Sequence, residues 1–210
     1  MNGEIAIFLF FTKEHFLAIA FGVVFLAVAF LMARRKPVKS RTIAQLFPLY
    51  IIIIAFNCAF LFALYWVEWH KPECGIACRY FFPPYSHYYF NEVLVRLLST
   101  FAFHAGAGLS GGILFSLFAR ATKGRIIDQV DVDLLTVGGM VAGWPNIFLF
   151  YAVVFVATVA MTVIRAIAEK SANIRMIITP MLPYAAALVA VFGNELARML
   201  HFYDIGLTLF

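Results

Sequence analysis

The feature that most constrains this chain is the recurrence of long apolar runs from one end to the other, with no polar stretch between them long enough to fold separately. A helix crossing the hydrocarbon of a bilayer takes about 20 residues, because each residue rises about 1.5 Å and the core is about 30 Å thick. Six stretches approach that length: Phe16–Ala33, Phe47–Val67, Val93–Phe118, Leu134–Gly143, Ile147–Ile164 and Met176–Phe192. The fourth is too short to cross alone unless Asp131 to Asp133 begin its first turn. It is therefore read as a short helix that meets the fifth at a tight turn, Trp144-Pro145-Asn146. Only 13% of the residues are charged and 64% are hydrophobic, against about 25% charged in soluble domains, so water cannot be the main solvent. The expectation is a single all-α domain, a polytopic membrane bundle of about six transmembrane helices.

The net charge of +5 does not call for nucleic acid. The basic residues cluster in short connections: five Lys or Arg in ARRKPVKSR, then RATKGR, then Arg165, Lys170 and Arg175. Connections of this kind remain on the cytoplasmic side of a membrane. Both termini, the 68–92 loop and the 144–146 turn are then extracytoplasmic. Glu4 and the lack of a basic leading region argue against a cleaved signal peptide, so the first segment is expected to stay as a helix. In the 68–92 loop, Cys74 and Cys78 form a disulfide or remain two thiols; an oxidising compartment favours the former. No Cys/His set has zinc spacing and no phosphate-loop motif is present, so no metal or cofactor is expected.

No aspartate precedes position 128, and then Asp128, Asp131 and Asp133 fall within six residues, in GRIIDQVDVDLL. Carboxylates at a membrane boundary are costly to bury and mark functional sites when they face a bundle interior. The same spacing also suits helix capping, where negative charge at an N-terminus is favoured. Small residues surround this cluster. Gly108-xxx-Gly112 and Gly139-xxx-Gly143 allow two helices to approach closely, which places the third and fourth segments in contact.

The stretch DVDLLTVGGMVAGW, Asp131 to Trp144, resembles the G-D-x-K-L-L-x-x-x-G-x-x-x-G-W motif of prepilin peptidases without a gap. Asp131 falls on the motif aspartate, Leu134 and Leu135 on the leucine pair, Gly139 and Gly143 on the glycines and Trp144 on the tryptophan. ITPMLPYAAALVAVFG is similar to the P-x-x-P-F motif of the same family, with Pro180, Pro183 and Tyr184 in place. The likeness covers about residues 105–195. It implies a six-helix intramembrane aspartic endopeptidase of the bacterial cytoplasmic membrane, which removes leaders from type IV pilin-like precursors at the cytoplasmic face. Such chemistry uses two aspartates, one ionised to activate water and one protonated to polarise the scissile carbonyl.

The chain also departs from that pattern. G-x-G-D reads Asp128-Gln129-Val130-Asp131, and Asp133 replaces the usual lysine. The cytoplasmic end of the first segment, ARRKPVKSRTIAQLFP, carries no carboxylate. Two functions follow as alternatives. One is a divergent peptidase using Asp131 with Asp128 or Asp133. The other is a catalytically silent relative that binds pilin-like precursors or secretion-system subunits within the bilayer and serves assembly. A lesser alternative comes from FHAGAGLSGGILFSLFARATKGR, which is similar to the His-Gly-Gly segment of prolipoprotein diacylglyceryl transferases. It sets His104 on the motif histidine and Asn146 on a later asparagine, without the arginine that would hold an anionic lipid.

Overall fold

The computed structural model describes residues 3–33, 43, 45–69, 87–124, 127–169 and 178–201, with side chains from residue 16 onward apart from 44, 68, 69, 89 and 90. Cys74 and Cys78 lie outside the described residues. Among those described there are six α-helices and no strand: α1 (Gly3–Ala33), α2 (Leu46–Trp69), α3 (Tyr88–Ala121), α4 (Gln129–Ala142), α5 (Ile147–Glu169) and α6 (Leu182–Met199). The expected all-helical bundle is the fold. Four of the helices, α1, α2, α3 and α5, contain apolar stretches of 18 residues or more and are long enough to cross a membrane.

Several boundaries correct the sequence reading: α1 starts at Gly3, not Phe16, and α3 at Tyr88, not Val93. The fourth helix starts at Gln129, not Leu134, because Asp128 caps it and the aspartates form its first turn. The sixth starts at Leu182, not Met176, and runs on to Met199. Pro183 in its first turn explains the late start, since proline fits where no intrahelical N–H is required. Its later end shows that Gly193, Asn194 and Glu195 continue the helix despite their polarity.

Side-chain contacts fix the directions of the helices. Phe16 packs on Phe56 and Phe21 on Tyr50, so α1 and α2 run antiparallel. Val93 packs against Phe62 and Tyr65, which sets the start of α3 beside the end of α2. Positions 112, 108 and 143 of the next pair meet 136, 140 and 104, so α3 and α4 are antiparallel too. The starts of α2, α4 and α6 and the ends of α1, α3 and α5 therefore share one end of the bundle. All three basic connections leave from that end.

Burial is distributed unevenly. Ten of the 14 residues of α4 are buried, packed by α3, α6, α5 and α2. Leu134, Leu135, Phe150, Leu182 and Ala186 form the centre of the core, with Phe25 of α1 closing it. The long helices instead turn Ile52, Val95, Leu114, Phe155 and Ile167 outward, all more than 60% exposed. Apolar side chains in such positions suit lipid, and the fold buries its small-residue and polar faces against protein.

Close backbone approach is what brings α4 inside. A Cβ at Gly112 would run into the Thr136 hydroxyl and one at Gly108 into the Met140 backbone nitrogen. The contact expected between the third and fourth segments is present, with these glycines as its seam.

Candidate functional site

At the basic end of the bundle α4 begins with a capping box. Asp128 adopts extended backbone (φ −96°, ψ 176°) and its Oδ1 accepts the Asp131 N–H at 2.9 Å. The Asp131 Oδ2 accepts the Asp128 N–H in return at 3.3 Å. Two N–H groups left unbonded by the helix are thereby satisfied, and negative charge sits where the helix dipole favours it.

The two aspartates differ sharply in surroundings. Asp131 is 4% exposed, whereas Asp128 faces outward. Asp131 is the only buried carboxylate among the described residues. Its second oxygen, Oδ1, accepts the Thr179 hydroxyl at 2.5 Å, across 48 positions of sequence. Thr179 stands immediately before Pro180 in the turn that leads into α6. Asp131 thus joins the N-terminal ends of two helices and receives a donor on each oxygen.

Asp133 has a partner on α4 itself. It is half-buried, and its Oδ1 accepts the Gln129 side-chain amide at 2.9 Å one turn back along α4. Of the three aspartates singled out in the sequence, the fold draws Asp128 and Asp131 into one reciprocal arrangement. Asp133, two residues on from Asp131, is set on nearly the opposite side of the helix. Thr136, buried and bonded to the Val132 carbonyl at 2.7 Å, lies one turn above Val132 and closes the seam with Gly112.

The far end of α4 holds a second polar group. Gly143 ends the helix with φ +67° and ψ 177°, a backbone region that side chains rarely adopt. The His104 ring lies over it, so that an added Cβ would be 2.6 Å from the imidazole Nδ1. The Trp144–Pro145 peptide is cis, and Asn146 follows. The Asn146 side-chain N–H donates to Asn194 Oδ1 of α6 at 2.7 Å, while its own Oδ1 is buried without a donor among the described residues. His104 and Asn146 are both placed at this one turn, the ring over Gly143 and the amide against α6. His104 does not line the ≈ 630 Å³ apolar groove that opens between α3 and α5 beside Trp144, Phe148 and Tyr151.

Thr179 and Asn194 went unmarked in the sequence. Thr179 has no local signal beyond its place before Pro180. Asn194 could have been found as an amide in an apolar run, since such groups seek a partner within the bundle. No group of three or more His, Cys, Asp or Glu suited to a metal ion occurs among the described residues. Comparison with protein-family profiles, with curated proteins and with solved structures returns no match to this chain.

Proposed function

We propose that this chain is a prepilin-peptidase-like membrane protein that holds pilin-like precursors or secretion-system subunits at the basic end of its bundle without cutting them. The observation that carries this reading is the bond from Thr179 to Asp131. It joins the two stretches that resemble the prepilin peptidase motifs, DVDLLTVGGMVAGW and ITPMLPY, at the aspartate that is common to the family pattern. The reading without cleavage follows from the bonding. Both Asp131 oxygens are engaged by donors of the chain itself, and no second buried carboxylate stands beside them among the described residues. The connection from α1 to α2 carries five cations and no acid. With the basic connections facing the cytoplasm of a bacterial inner membrane, both termini lie outside.

A second reading, leader processing, draws on a specific feature of the same geometry. The capping box sets a buried and a water-facing carboxylate three residues apart, and carboxylates in contrasting surroundings are what acid–base chemistry uses.

Co-reconstitution with a type IV pilin-like precursor in vesicles tests both. The expected result is an uncut precursor that is recovered with the wild-type chain. Leader release that disappears in Asp131→Asn and Asp128→Asn at unchanged abundance would overturn the holding reading in favour of cleavage. A precursor neither cut nor retained would sink both.

A further inference from the structure

A second groove, of ≈ 360 Å³, runs between α3 and α4 at the basic end of the bundle. Its lower wall is apolar, made by Leu109, Ile113 and Leu117 of α3 with Val132 of α4. The three α3 residues are about half exposed or more, so this wall meets lipid tails. Ser116, Arg120 and Gln129 make its upper part polar, while the Thr136 hydroxyl lower down is taken up by the Val132 carbonyl. From Leu109 to Arg120 the groove follows about 16 Å of helix, at about 1.5 Å per residue.

Arg120 gives the groove its sign. It lies in the last turn of α3, is exposed, and forms no ion pair among the described residues. Lys123 follows it on the exposed turn after α3, and Arg125 is next in the sequence. The acids nearby are committed elsewhere. Asp131 is turned inward to Thr179, Asp128 caps α4, and Asp133 is held by the Gln129 amide. A cation with no ion pair among the described residues, above an apolar channel at a membrane boundary, matches a single lipid: phosphate at the guanidinium, acyl chain along the wall. The volume lies near the lower end of ligand pockets, which suits one chain and not a broad ligand.

We infer that the α3–α4 groove is a binding site for one anionic phospholipid, its headgroup phosphate on Arg120 and one acyl chain against Leu109, Ile113 and Leu117. The site stands independently of the pilin-like reading. It pins the glycine seam from the lipid side, since the same two helices form both.

Titrating phosphatidylglycerol into the delipidated full chain in neutral detergent, read by native mass spectrometry, tests this. One tightly held lipid is expected, with phosphatidylcholine at least about five-fold weaker. Arg120→Gln should weaken phosphatidylglycerol about five-fold, the factor expected for one basic residue at an anionic headgroup. Ile113→Trp, which fills the channel and leaves the charge intact, should weaken both lipids. Arg198→Gln on α6, an exposed cation already paired with Glu195, should change nothing. Should Ile113→Trp fail to fold, Leu117→Ala is the milder test of the wall. Equal binding of the two lipids, or an Arg120→Gln variant that binds as wild type, would overturn the site.

Discussion

The two ends of α4 solve one problem in different ways. At Asp128 the helix ends in charge: two carboxylates take three donors between them, two backbone N–H groups and the Thr179 hydroxyl. At Gly143 it ends in shape: a positive φ, a histidine ring against a bare Cα, and a neutral amide pair that leaves one oxygen without a donor among the described residues. Bonds to charged acceptors are worth about 1.5–3 kcal/mol each, while interhelical amide bonds within bilayers average about 0.6 kcal/mol. The basic end is therefore anchored by bonding and the opposite end by steric fit. Substitutions should separate them, the first through lost partners and the second through added atoms.

The largest effect is expected at the steric end. Gly143→Ala combines a backbone region that disfavours Cβ with a collision on His104, and should cost about 3 kcal/mol in detergent unfolding. Adding His104→Ala should recover the collision part and leave the backbone part. A double variant no better than Gly143→Ala would show that the ring does not contribute. Asp131→Ala comes next, at about 2 kcal/mol, since it deletes an acceptor for two donors in a buried position. Thr179→Val should reproduce only part of that loss; an equal loss would assign the whole effect to the α6 junction. Asp128→Ala, the loss of a cap, should cost about 1 kcal/mol. Asn194→Ala should cost about 0.6 kcal/mol, and a value above that of Asp131→Ala would reverse the ranking of the two ends. Asp133→Asn is the smallest, within about 0.5 kcal/mol, because its bond to Gln129 is exposed.

Hydropathy made the helices legible because lipid-facing positions leave whole segments apolar, and their number does not depend on how they pack. It misplaced the start of α4 for a physical reason. A hydropathy reading begins where apolar residues begin, at Leu134, whereas the helix begins where its N–H groups find acceptors, at Asp128. The spacing of Asp128 and Asp131 carried that information as a capping signal. The α3–α4 contact was legible from Gly108 and Gly112, since small residues four apart state how near a neighbour can come. The Thr179 bond was not. A hydroxyl has no fixed partner type, and 48 intervening residues remove any local pattern. Likewise the outward face of Asp128 and the inward face of Asp131 follow from how α6 lies against α4, which spacing alone does not determine.

The length of α4 has a consequence for the bilayer itself. Fourteen residues rise about 21 Å, about 9 Å less than the hydrocarbon thickness. Were Asp128 set at one boundary of a layer of that thickness, the turn at Trp144–Asn146 would stop about 9 Å short of the other, and α5 would begin its return from that depth. Its 23 residues, about 34 Å, would then pass the level from which α4 set out, carrying Arg165 and Glu169 beyond the aspartates. A helix longer than the hydrocarbon is accommodated by tilting or by local thickening, so α5 would lean across the layer beside the short, protein-covered α4.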